Sequence, residues 1–375
     1  MLGQYPRNPD RVAGGVEAVL AVLCAEMASR PEVELHVLSS LESVGSCCRE
    51  KRDGFTVHWF PRHRGSRATF YRRDVGGLIR SVRELRPDIV HAHGTGHYAV
   101  AAVAGDVPAT VVTPHGVIFR EARFATRAKE RFGWWLQALW ERRVLRRARH
   151  IIAISPYVER ELGGRTRAAF HHVENPVSDA FFAVPAEPQG THILWVGRLI
   201  PRKDPWTAVR AFAAVKRACP ESELSIAGES DTNRSFARDT RRLAASLGLD
   251  GSVHWLGELH RAEMLEQYRT CRLVLLSSLQ ETAPVVIGEA MAAGRPVVTT
   301  AAGGCAHLVK NGETGFVAGV GDAAELAEGI KRLITDDELS ERLSGAARLE
   351  AWQRFRPSVV VDKTLDLYLD LLTPN

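Results

Sequence analysis

Short β-branched runs alternate with amphipathic helical patterns along nearly the whole chain, and this alternation constrains the fold more than any other feature. Strand, helix and strand in succession fold as a βαβ unit, so an α/β protein with mostly parallel sheets is expected. Strands are predicted at 34–38, 55–59, 88–92, 109–113 and 150–154, and again at 192–196, 224–227, 253–256, 273–276 and 296–300. After Gly15, apolar residues at Val16, Val19, Leu20, Leu23 and Met27 follow the 3.6 period of a helix that ends before Pro31. Only Met1 to Gln4 precede the loop leading to it, so its strand is either short or truncated.

A chain of 375 residues exceeds the size at which one core keeps growing, so two domains are expected. The stretch 175–190 contains Pro176, Pro185, Pro188 and Gly190 and reads as the linker. The predicted division is 1–182 for a first domain, 183–352 for a second, and 353–375 for a terminal helix. Two parallel α/β domains so joined would face across a cleft where both sheets present their carboxyl ends. Chemistry should then sit in the βα loops.

The richest such loop is QETAPVVIGEAMAAGRPVVTTAAGG at 280–304. A short apolar strand precedes it. Glu281 lies in the loop, Glu289 lies eight residues later on a helix, and Gly294 closes that helix. Carboxylates suit sugars because each accepts several hydroxyl hydrogen bonds, and the amides of a helix start can hold a phosphate. A second loop, VGRLIPRKD, places Arg198 and Lys203 five residues apart, with Asp204 as N-cap and Pro205 at the first helical position. A third, Gly14-Gly15-Val16-Glu17, lets the backbone approach a ligand at the start of a helix. His91 and His93 of HAHG and His115 of TPHG follow strand ends. A structural role is the simpler reading for His91 and His93, since no third metal ligand is in view.

The 280–304 string, with its E-x7-E spacing, resembles the donor-site signature of retaining glycosyltransferases of the GT-B fold, the group 1 or family 4 type, and the resemblance spans nearly the entire chain. It implies two Rossmann-like doubly wound domains facing across a cleft, with a C-terminal helix crossing back to the first domain. On this resemblance Glu281 lies against the transferred sugar and Glu289 binds the ribose hydroxyls. Thr282, Ala283, Pro284, Val285 and Val286 line the donor, and Gly14 and Gly15 face its phosphates. Arg198 and Lys203 neutralise the diphosphate leaving group in place of a metal, so no metal and no cofactor beyond the co-substrate is expected. His115 contacts the sugar in a supporting role, and Gly15, His93 and His115 lie toward the acceptor. The chain departs from the family pattern twice: Pro284 removes an amide donor, and Asp204 stands where Gly is usual.

Charge points to the acceptor. Residues 1–185 hold 27 Lys+Arg against 19 Asp+Glu, and the remainder 22 against 25. Between 120 and 149 there are ten Lys+Arg against three Glu, interleaved with Phe124, Phe132, Trp134, Trp135 and Trp140, and a second basic stretch runs over 62–73. Such a segment either packs on its own sheet or lies in an anionic membrane interface. Partners are therefore expected to be a nucleotide diphosphate sugar, a sugar or lipid-linked acceptor and a weakly bound membrane surface, with no nucleic acid, since no such motif occurs. The start has no export signal and the six cysteines form no C-x-x-C pair, which suggests a cytoplasmic protein. A nucleotide-sugar epimerase or hydrolase on the same fold, or a non-catalytic binding module, would share these features. A Rossmann dehydrogenase would need a G-x-G-x-x-G that is absent.

Overall fold

Two sets of parallel strands, each sandwiched by helices, carry the chain in a computed structural model that describes residues 1–8, 14–63, 71–125, 127–185, 190–228 and 233–373, apart from the side chains of Arg72 and Arg73. One compact unit comprises Met1–Pro176 with Pro357–Asn375, and the other Val177–Arg356.

In the first unit, β1 (Leu35–Leu41) pairs in parallel with β3 (Phe55–Pro61), and β2 (Cys48–Arg52) adds an antiparallel edge. Strands β4 (Ile89–His93), β5 (Ala109–Thr113), β6 (His150–Ala153) and β7 (Ala169–His172) run parallel in that order. The short first strand is present and sits between these two sets, where Leu2 bridges both Leu38 and Ala92. Its amide donates to His91 O at 2.8 Å, and its carbonyl accepts from His93 N at 2.8 Å. The strand order about Leu2 thus becomes that of a doubly wound sheet, with the helix Gly15–Ala28 following the segment as predicted. The helix Pro357–Leu372 packs against Gly15–Ala28 within this same unit.

The second unit holds six parallel strands, β8 (His192–Val196), β9 (Glu223–Ala227), β10 (Val253–Gly257), β11 (Leu273–Leu276), β12 (Val297–Thr300) and β13 (Gly315–Ala318), in the order β10-β9-β8-β11-β12-β13. Its central strands β11 and β12 are buried along their full length, as parallel strands covered on both faces must be. One face packs Phe212, Val215 and Ile330 over the sheet, and the other packs Tyr268, Ile287 and Met291.

The unit boundaries fall at Pro176/Val177 and Arg356/Pro357, against the 182/183 and 352/353 read from the sequence. Burial explains the shift: Val177, Phe181, Phe182 and Val184 already belong to the core of the second unit, and the helix Asp337–Arg354 runs on past 352. Residues 186–189 of the expected linker, and 64–70 of the second basic stretch, lie outside the described residues. No helix among the described residues is long and apolar enough to cross a membrane.

Candidate functional site

The strand order of the second unit reverses between β8 and β11, and in open parallel sheets ligands bind beyond the carboxyl ends of the strands at such a point. Both strongest motifs leave the sheet there. Strand β8 runs into Gly197 and the loop with Arg198 and Lys203, and β11 runs into Ser277 and the loop with Glu281. The two loops are tied together by Leu279 N, which donates to Arg202 O at 2.9 Å, and by Ser277 Oγ, which donates to Asp204 O at 2.6 Å.

Glu281 is buried at the meeting of these loops. Its Oε1 accepts from Lys203 Nζ at 2.5 Å and from Ser278 Oγ at 2.7 Å, and its Oε2 lies 3.3 Å from Arg202 Nη1. Burial alone would raise its pKa, but the Lys203 and Arg202 cations with the hydrogen bonds from Lys203 and Ser278 outweigh burial and hold it below the usual carboxylate range. It is an ionised carboxylate with both oxygens engaged. Its carbonyl accepts from Gly304 N at 3.2 Å, and a Cβ on Gly303, where φ is +58°, would stand 1.7 Å from that same oxygen. Only glycine allows this approach.

Asp204 takes the left-handed conformation, φ 46° and ψ 58°, which accounts for a glycine being usual at this place in the family pattern. Aspartate tolerates it, and its carboxylate caps the helix Pro205–Ala218 by accepting from Thr207 N at 3.2 Å. The departure from the pattern therefore keeps the loop geometry. Arg198, by contrast, is exposed and makes no ion pair among the described residues.

Pro284 is the N-cap of the helix Val285–Ala292, and Ile287 N bonds back to its carbonyl at 3.1 Å. The missing Pro284 amide thus lies just outside the helix, whereas the amides of Val285 and Val286 open its first turn. Thr282 is buried and Ala283 partly so. Glu289 lies on this helix, partly buried, and its Oε2 accepts from Tyr268 Oη at 3.0 Å. Burial raises its pKa to about 7, with the Tyr268 hydrogen bond and the Arg261 charge pulling weakly the other way.

In the first unit three imidazoles gather at the carboxyl ends of β4 and β5: His91 and His93 lie within β4, which runs on to His93 rather than ending before them as the sequence suggested, and only His115 lies past its strand. His91 is buried with Nδ1 2.6 Å from Tyr368 Oη and Nε2 2.6 Å from Thr113 Oγ1, so it fastens the terminal helix to the sheet and has the structural role expected. His93 stacks on His91, and its Nδ1 lies 2.9 Å from His115 Nε2. Burial keeps all three neutral near pH 7, with the pKa of His91 lowered to about 3, that of His115 to about 4, and that of His93 well down. None can serve as a cation there. Among the described residues no cluster of His, Cys, Asp or Glu could hold a metal. Gly14 and Gly15 begin the helix Gly15–Ala28, and a Cβ at Gly14 would meet nothing within 4 Å, so packing does not demand glycine at that position.

Sequence reasoning missed Arg202, Ser278 and Tyr268. Arg202 is adjacent to Lys203, and a basic pair after a strand end was the available signal; nothing local marks Tyr268, which reaches Glu289 from the helix Arg261–Thr270.

Known proteins agree with this architecture. Residues 178–350 match the description "Glycosyl transferases group 1", and residues 13–181 match "Glycosyltransferase Family 4". A glycogen synthase of Mycobacterium tuberculosis is 31% identical over 302 residues, covering 76% of this chain and 70% of that protein. Among solved structures, sucrose-phosphate synthase from Thermosynechococcus elongatus superposes with a TM-score of 0.79 at 21% identity, covering 99% and 98% of the two chains. Anabaena HepE in complex with UDP-glucose superposes with a TM-score of 0.77 at 20% identity, covering 98% of each. With its doubly wound sheets and its charged loops at the β8/β11 switch point, the chain belongs to the group 1 glycosyltransferases, family 4, of the GT-B fold.

Proposed function

We propose that the chain is a retaining hexosyltransferase that takes its sugar from a nucleotide diphosphate donor without a bound metal. Its acceptor would be a lipid-linked or cell-surface polysaccharide intermediate at the cytoplasmic face of a membrane. The observation that carries the donor half is the gathering of Lys203, Arg202 and Glu281 in the loops beyond β8 and β11, with Arg198 exposed beside them in sequence. HepE, a relative in fold, was solved with UDP-glucose, which makes that donor the first to test.

In this reading a diphosphate develops charge as its bond to the anomeric carbon breaks, and fixed cations stabilise that charge best. Arg198 is available to it. Lys203 shares Glu281 with Arg202, so one cation can turn to the diphosphate while the other keeps the carboxylate compensated. The amides of Val285 and Val286 offer the second anchor, and Glu289 the contact to the ribose hydroxyls. Glu281, with both oxygens engaged by cations and Ser278, is a poor nucleophile. That favours same-face attack: the acceptor oxygen bonds the anomeric carbon, the carbon–phosphate oxygen bond breaks, and the acceptor proton passes to the leaving phosphate. His115, kept neutral and held by His93, positions a sugar hydroxyl, with Gly14 and Gly15 allowing close backbone approach.

Thermal-shift titration with UDP-, GDP- and ADP-glucose tests the donor half, and stabilisation by at least one is expected; none by any would sink it. Transfer should persist in EDTA and conserve the anomeric configuration by NMR of the product. A glycosyl adduct on Glu281 in mass spectrometry would overturn same-face attack.

A further inference from the structure

The helix Ala128–Arg147 carries apolar side chains on two opposite sides. On the inner side Val144 and Leu145 are buried, as is Glu141, whose Oε1 accepts from Ile118 N at 3.1 Å. On the outer side, Phe132, Trp135 and Leu139 are 58%, 55% and 38% exposed. Their spacing of three and four places them on one face, and the Phe132 and Trp135 rings stack on each other, centroids 5.8 Å apart. The following turns of that face carry Arg142, Arg143 and Arg146, and Arg131 flanks it from the preceding turn, all exposed. Within this helix Glu130 is the one exposed acid.

We propose that this face is a membrane-docking surface in which Phe132, Trp135 and Leu139 enter the interface while Arg131, Arg142 and Arg143 engage anionic lipid headgroups. The proposal deepens the lipid half of the function proposed above and rests on that reading only for its purpose. Charge complementarity selects the occupant. An aromatic and aliphatic strip bordered by exposed cations matches a surface that is apolar within and anionic at its rim, whereas a nucleic acid would gain nothing from Leu139. A comparable apolar pair elsewhere, Leu349 and Trp352, flanks Glu350, which pairs with both Lys310 and Arg354, and Arg356 lies over the Trp352 ring at 4.2 Å, so the cations beside it are engaged within the protein. Position adds to the argument. The chain runs from His115 through Ile118–Glu121 directly into this helix, and Glu141 on its inner side bonds that connecting segment.

The test is co-sedimentation of the purified full chain with vesicles of phosphatidylcholine alone or with added phosphatidylglycerol. The wild type should partition to the anionic vesicles at low salt and release at high salt. Phe132→Ser/Trp135→Ser should lower partitioning by roughly tenfold or more. Arg142→Gln/Arg143→Gln should lower it on the order of 30-fold. Leu349→Ser should leave it unchanged, and all variants should melt as the wild type does. Failure of the wild type to bind anionic vesicles at low salt overturns the proposal. So does unaltered binding of both double variants, or a wild-type dimer in the ultracentrifuge that Phe132→Ser/Trp135→Ser dissociates. No donor sugar enters this assay, so absence of glycosyl transfer would refute the proposed function while leaving the docking result standing.

Discussion

Replacing Glu289 by glutamine should change how stability depends on pH more than it changes stability itself. The carboxyl titrates near 4.5 in the unfolded chain and about 7 in the folded one, because burial on the helix Val285–Ala292 disfavours its charge. Above pH 4.5 the unfolded chain releases this proton while the folded chain keeps it, so the folded state binds more protons and stability falls as pH rises. The loss accumulates between about pH 4.5 and 7 and then levels off. At 1.36 kcal/mol per pH unit, the difference amounts to about 3 kcal/mol. A glutamine amide has no proton to release, so Glu289→Gln should remove this component. Glu141 has a pKa of about 7 by the same cause but lies in the other unit, so its contribution is common to both proteins and cancels in the difference. Urea denaturation of the wild type and Glu289→Gln from pH 4.5 to 8 measures it. Parallel stability curves would refute the reasoning, as would a Glu289 carboxyl titrating near 4.5 by NMR. On the proposed function, in which Glu289 contacts the ribose hydroxyls, nucleotide affinity of the wild type should rise as pH passes 7 and the carboxylate becomes a pure acceptor.

Three further outcomes test the loops and the terminal helix. Gly303→Ala should destabilise the second unit by more than about 2 kcal/mol in urea denaturation, because its methyl group would collide with Glu281 O in a left-handed backbone. Asp204→Ala keeps the left-handed strain and loses the cap, so it should cost about 2 kcal/mol, whereas Asp204→Gly relieves the strain and should stay within about 1 kcal/mol of the wild type in the same assay. Tyr368→Phe leaves buried His91 Nδ1 unpartnered and should lower stability by about 1–3 kcal/mol, with faster amide exchange in the helix Pro357–Leu372.

Much of the fold was legible in local pattern. The strands at 109–113, 192–196 and 273–276 coincide with β5, β8 and β11 because each is an apolar run punctuated by turn residues. The strands that escaped notice lack that signal: β2 is the charged CREKR, β7 is AFHH with two histidines, β13 opens on glycine, and each lies at the edge of its sheet. Their strand character comes from a neighbour offering hydrogen bonds, which no local period records. The first strand is a similar case, since Leu2 becomes central only because β1 and β4 flank it.

By itself the sequence determined the class of fold and pointed to the loops after β8 and β11 as the candidate site, since helical and strand periods and the E-x7-E string are properties of neighbours along the chain. The tertiary structure decided the partners and the charges. It brought Arg202 onto Glu281 and Tyr368 onto His91 across 277 positions, set Glu281 below and Glu289 above the usual carboxylate range, and turned Phe132 and Trp135 outward. Desolvation and Coulomb interaction depend on what surrounds a group in space, and that environment exists only once the chain has folded.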